Sequence, residues 1–189
     1  MVLFVMAGLV ATTGCKDDDE PKPTTAKLTG TITFEEVELW ETWQDSGEVQ
    51  LSLFPEFSLD PLAGWGQTSD LFMGPAGAPV FVAVLQRQDG TTQYEFEIDI
   101  TDIEDPVSFS AIAVGFRHDL IVDPSLRTAS LGVWWNNEDE VSHGIMIRPA
   151  PGAPPIFDEP APESFTVEPG DELELNFKAD FGFVEEWYN

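Results

Sequence analysis

Basic residues are scarce in this chain: eight Lys and Arg stand against 35 Asp and Glu, a formal net charge of −27 over 189 residues. Phosphate binding needs clustered cations, so nucleic acid is excluded as a partner, and anionic membrane surfaces are disfavoured for the same reason. Cysteine occurs once, at Cys15, so no internal disulfide can form. A chain of this length buries roughly two-thirds of its unfolded surface and needs none. The only histidines are His118 and His143. A zinc site would have to gather both with a carboxylate from separate loops, so they are read as surface or core-edge residues. Also missing are a Gly-x-Ser-x-Gly elbow, a His-Glu-x-x-His helix and a phosphate-cradling glycine loop. With so many carboxylates, chance pairs at glycosidase spacing carry no weight. The expectation is a protein that is not an enzyme and has no cofactor. The apolar run Val2 to Val10, nine residues, is far short of the roughly 20 that cross a bilayer. Hydrophobic residues at 42% and aromatics at 12% nevertheless argue against disorder.

What is present begins with that short run, which fits the apolar region of a signal peptide. Thr12-Thr13-Gly14-Cys15 follows, small residues ahead of the single cysteine. This resembles the lipobox of bacterial lipoproteins, in which the thiol is alkylated with diacylglycerol and the peptide is cut just before it. The resemblance implies a cleaved signal over residues 1–14 and a lipid on Cys15. The chemistry asks for Cys because a thiolate is the nucleophile, and for small neighbours because the peptidase takes extended backbone. Lys16-Asp17-Asp18-Asp19-Glu20 is similar to the export signal that sends some Gram-negative lipoproteins to the outer face of the outer membrane. The alternative is a charged tether that keeps the body off the lipid. Pro21 to Thr25 extends the tether in polyproline-like form, so residues 15–26 form the tether and 27–189 a single domain. The implied location is the outer membrane or cell surface, with the membrane contacted through the lipid alone.

From Leu28 the hydrophobic period is two, and no convincing helical period appears. Leu28 to Phe34 alternates with Leu28, Ile32 and Phe34 inward; Gly47 to Leu53 and Tyr94 to Ile100 do likewise. Pro79 to Gln86 and Ser108 to Phe116 are apolar on both faces, as central strands would be. Ala129 to Trp135, His143 to Ile147, Ser164 to Val167 and Glu172 to Phe177 complete the set. Turn signals at Asp45-Ser46-Gly47, Gln88-Asp89-Gly90, Asp123-Pro124-Ser125 and Glu168-Pro169-Gly170-Asp171 separate them. Seven to nine short strands at this spacing predict an all-β antiparallel sandwich with little or no helix. The one helical turn expected is near Asp60-Pro61-Leu62-Ala63. Pro149 to Pro162 cannot be a central strand and must cross the surface.

Leu28-Thr29-Gly30-Thr31-Ile32, Glu48 to Leu53, Tyr94 to Ile98 and Phe109 to Phe116, ending in Gly115-Phe116-Arg117, resemble the transthyretin-like sandwich. The likeness is to its carboxypeptidase-regulatory-like and bacterial surface versions. Pro55 to Pro79 would be an insertion longer than usual there. The resemblance implies a binding, spacing or adhesive module and no catalytic residue.

Three handles for a partner remain. Trp40, Trp43 and Trp65 fall in or beside early loops, where indoles exposed at one end could stack on a sugar face, as in a carbohydrate-binding accessory subunit. Alternation sends Trp134 and Trp135 to opposite faces, one inward and one outward. Calcium takes six to eight oxygens from acidic loops; Asp99, Asp102, Glu104 and Asp105, and the loop Asn136-Asn137-Glu138-Asp139-Glu140, are the candidates for a calcium-stabilised adhesion-type module. Otherwise these acids are exposed turns, and the acidic surface suits high salt, where a Debye length of about 3 Å at 1 M removes most self-repulsion. A glycan or a surface protein is the kind of partner these features fit.

Overall fold

The computed structural model describes residues 22–55, 71–72, 78–123, 126–154 and 156–189. The signal segment, Cys15, Lys16 to Glu20, the helical turn expected at Asp60 to Ala63, and Trp65 lie outside the described residues. The chain is all-β with little helix.

Strand β1 (Ala26–Glu35) organises the first sheet. Its alternation is strict: Leu28, Ile32 and Phe34 are buried while Thr29, Thr31 and Thr33 between them stay half-exposed. Each such apolar side chain contributes about 1.5–3 kcal/mol on burial, which holds the register against a one-residue slip. β5 (Gln93–Ile100) pairs antiparallel with β1, from Ala26↔Ile100 to Thr33↔Gln93. On the other side, β12 (Glu172–Glu174) and β13 (Phe177–Asp180) run parallel to it. These two are one edge interrupted at Leu175-Asn176. Across the break the Leu175 amide donates to the Thr29 carbonyl at 2.8 Å, and Asn176 Oδ1 accepts the Thr31 amide at 2.9 Å. A side chain thus supplies the missing rung, and no backbone donor of β1 is stranded there.

The second sheet runs β4 (Phe81–Leu85), β2 (Gly47–Phe54), β7 (Ala111–His118), β8 (Thr128–Val133), all antiparallel. Its inward residues Val49, Leu51, Leu53, Ile112, Val114, Phe116 and Leu131 join Leu28, Ile32, Phe34, Ile98 and Phe177 of the first sheet in one core. At one side the two sheets nearly merge. A Cβ at Gly132 of β8 would fall onto the Lys178 carbonyl and lie 2.9 Å from the Ala179 Cα of β13, so only glycine allows that approach. Smaller pieces complete the fold: β6 (Val107–Phe109) pairs with β11 (Phe165–Val167), and β9 (Met146–Ile147) lies between β10 (Ile156–Phe157) and β3 (Leu71–Phe72).

Three departures from expectation have physical causes. The described residues hold thirteen strands rather than seven to nine, because several are two- or three-residue pieces, and β1 has parallel partners. Pairing between the two ends of a chain leaves no local turn signature. Second, Pro79 to Gln86 was expected in the middle of a sheet, but β4 is an edge: Val80, Val82 and Val84 are 61%, 46% and 43% exposed. An apolar run on both faces does not distinguish a buried strand from an uncovered one. Third, helical turns form at α1 (Leu39–Trp43) and α2 (Phe183–Tyr188). Both are far too short to stand alone, and packed aromatic rings hold them in place.

Candidate functional site

Two tryptophans expected in water pack against the core, Trp40 buried and Trp43 half-buried. Trp40 is 3% exposed and stacks on Phe181 at 5.6 Å with planes 14° apart, with Phe34 and Tyr94 against its other sides. Trp43 lies among Phe116, His118 and Tyr188, and its indole nitrogen is buried. α1 and α2 therefore close one end of the core with rings. Tyr188 secures that end by donating from its phenol to the Arg127 carbonyl at 2.6 Å. Burial holds the phenol well above its ordinary pKa, against the opposing pull of neighbouring backbone hydrogen bonds. Trp40 is thus corrected from a ligand platform to a packing residue, and the half-buried Trp43 of the same helical turn sets its ring against the same core.

The aromatic platform that does meet solvent is Trp134-Trp135. Trp134 follows the end of β8 and packs against the core, whereas Trp135 takes no part in that packing, as alternation expects. Both indoles are half-buried, and both line one trough of about 350 Å³ with Asn136, Asn137, Glu138, Glu174 and Asn176. Trp134 is fixed edge-on against Phe165 at 5.8 Å. Trp135 is held by its indole N–H, which donates to the Glu140 carbonyl at 3.1 Å. Asn137 Oδ1 accepts the Asp139 amide at 3.0 Å and shapes the loop. Asn176, already bonded to β1, gives its amide N–H to Glu174 Oε1 at 3.0 Å. An adjoining groove shares Glu138, Glu174 and Asn176 and continues over Thr31 and Thr33 to Gln93, along the outer face of the first sheet. The result is a polar, carboxylate-rimmed channel with an aromatic wall at one end, able to stack a flat apolar face and to bond hydroxyls. Sequence reasoning missed it because Asn176 and Glu174 come from a distant strand; the clustered WWNNE stretch was the available signal.

The remaining candidates do not converge. Among the described residues no three or more His, Asp or Glu side chains are grouped to hold a metal ion. The calcium candidates Asp99, Asp102, Asp105, Asn137 and Asp139 form no such group, and Asn137 Oδ1 is already engaged by the Asp139 amide. His118 packs in the aromatic end, its Nδ1 accepting the Leu120 amide at 3.2 Å. His143 stacks on Phe183 at 4.2 Å and faces Glu159, with Nδ1 3.2 Å from the carboxylate. A proton on Nδ1 satisfies that contact.

The His143–Glu159 pair latches the 156–160 segment to the body. Burial alone would raise the Glu159 pKa. The His143 ring hydrogen bond, its charge, and its backbone N–H donating at 2.6 Å outweigh this and hold the carboxyl below its ordinary 4.5. A folded value below the unfolded one means stabilisation present above about pH 4.5 and lost as pH falls through the folded value. Urea midpoints measured between about pH 3 and 7 should therefore fall at the acid end less steeply in Glu159→Gln than in the parent.

No family model, curated protein or solved structure matches the chain.

Proposed function

We propose that this chain is a lipid-anchored, non-catalytic binding module of the bacterial cell envelope, held at the outer membrane or cell surface through Cys15. Thr12-Thr13-Gly14-Cys15, with Lys16-Asp17-Asp18-Asp19-Glu20 directly behind it, carries this reading. A thiol among small residues suits alkylation and cleavage, and a Lys with an acidic run suits export. The folded body serves as what the anchor displays. We read it as a transthyretin-like version of the β-sandwich; in support, the strands that carry the likeness divide between two sheets facing one core, β1 and β5 in one, β2 and β7 in the other. The abundant acids serve as a solvated surface suited to high salt.

A second reading, carbohydrate binding, is favoured by one observation: Trp134 and Trp135 share a trough with Asn137, Asn176 and Glu174. The ligand that fits is an uncharged pyranose chain, since Glu138 and Glu174 repel uronic or sulfated sugars. The test is an NMR titration of the ¹⁵N-labelled protein with cellohexaose, mannohexaose, chitohexaose and, as the anionic control, hexagalacturonate. Shifts are expected in the Trp134 and Trp135 indole N–H signals with one uncharged sugar and none with the control. Trp135→Ala should weaken binding by about tenfold or more, roughly 1.4 kcal/mol. Absence of shifts with all three uncharged sugars removes the carbohydrate reading and leaves the anchored module, whose own test is lipid labelling at Cys15.

A further inference from the structure

β4 ends the second sheet, and among the described residues nothing pairs with its free edge. Edge strands in soluble proteins are usually blunted by charge, and this one is not. Between Asp70 and Asp89 the sequence has no acidic residue, although the chain carries a net charge of −27. Val80, Val82 and Val84 line up on the outward side, 61%, 46% and 43% exposed, while Phe81 and Leu85 pack against the core. The Val80 N–H already donates to the Leu53 carbonyl at 2.8 Å; among the described residues Val82 and Val84 have no strand partner on the free edge, which offers β-branched side chains in a stretch of sequence without acids.

We propose that β4 pairs with β4 of a second copy of this chain, antiparallel about a two-fold axis at Val82. The pattern Val80-Phe81-Val82-Ala83-Val84 is self-complementary about that point. Val80 of one copy meets Val84 of the other on the outward face, and on the inward face the large Phe81 meets the small Ala83. Leu85 comes beside Pro79, and the ion-paired Arg87–Asp89 end of each strand lies beyond the paired residues. Pro79 has no N–H to extend the ladder, and the two-fold uses the free edge of each copy, so the assembly closes at two. Two bodies of charge −27 repel, and the acid-free edge is where they can approach. Pairing is therefore promoted by salt, which screens the rest of the surface.

The experiment uses the full chain with Cys15→Ser, which leaves Val82→Cys as the sole thiol. Sedimentation equilibrium of the Cys15→Ser chain from about 0.05 M to 1 M NaCl should show monomer passing to dimer as salt rises. Under mild oxidation at 1 M NaCl, Val82→Cys should form a disulfide-linked dimer, because a residue on the axis lies within disulfide reach of its own copy. Ala83→Cys, which would oppose Phe81, should not. Val82→Lys should abolish the dimer while circular dichroism stays that of the parent. A chain that remains monomeric at every salt concentration overturns the proposal, as do equal cross-linking at positions 82 and 83 and a dimer that survives Val82→Lys. Protection of β4 amides from exchange only when an added valine-rich strand peptide is bound would give the edge to a different partner and overturn it too.

Discussion

Replacing Trp40 by alanine should lower the free energy of unfolding by roughly 3–5 kcal/mol, read as a shift of the urea midpoint at unchanged slope. The ring is almost fully buried and makes the stacked contact with Phe181, itself fully buried. It also joins Phe34 of β1 and Tyr94 of β5 to the helical turn, so removing it opens a cavity where three elements meet. α1 is five residues long and has no stability of its own to retain it once that contact is lost. The contrast is with Trp135→Ala, where the ring borders solvent and the change should stay within about 0.5 kcal/mol. Ligand binding should respond in the opposite order, with Trp135→Ala losing affinity and any Trp40→Ala protein that remains folded retaining it. A loss below about 1 kcal/mol for Trp40→Ala would return that residue to the surface and to the list of stacking platforms.

The second large effect concerns the anchor. Cys15→Ala should abolish fatty-acid labelling and move the protein from the membrane to the soluble fraction. A single acyl chain holds a protein only marginally, whereas two bury on the order of 30 methylenes at about 0.8 kcal/mol each. On the proposed reading, removing the sulfur should change effectively permanent attachment to none. Replacing Asp17, Asp18 and Asp19 together by alanine should leave the lipid in place but hide the body from externally added protease. Unchanged protease accessibility would make the acidic run a tether only. An unmodified thiol on natively purified protein, found by mass spectrometry, would overturn the anchor itself.

Much of the fold was legible because a half-buried strand repeats every two residues. Leu28, Ile32 and Phe34 could be placed inside from spacing alone, and all three are buried. β5 follows the same rule, and β2 and β7, buried on both faces over much of their length, still lie where the sequence placed strands. The trough was less legible. Trp134 and Trp135 were visible as a pair with one ring inward, but the trough that both border depends on distant residues that close it. Asn176 was expected inside one continuous strand, Glu172 to Phe177; its role as a rung of β1 exists only because a distant segment runs alongside and breaks there. Trp40 was misplaced for a related reason. A loop rich in aromatics has the same composition whether it faces water or folds back over a core.

The sequence by itself determined the strand-rich class, the inward face of the alternating strands β1 and β5, the excess of negative charge and the single thiol ahead of an acidic run. These are local properties, carried by residue type and by spacing within a few positions. Only the tertiary structure decided that β1 is flanked in parallel by β12 and β13, that β4 is an edge, and that Trp40 is core while Trp135 borders a trough. Those outcomes depend on which distant backbones meet, and hydrogen bonds and apolar surfaces carry no address for their partners until the chain is closed around them.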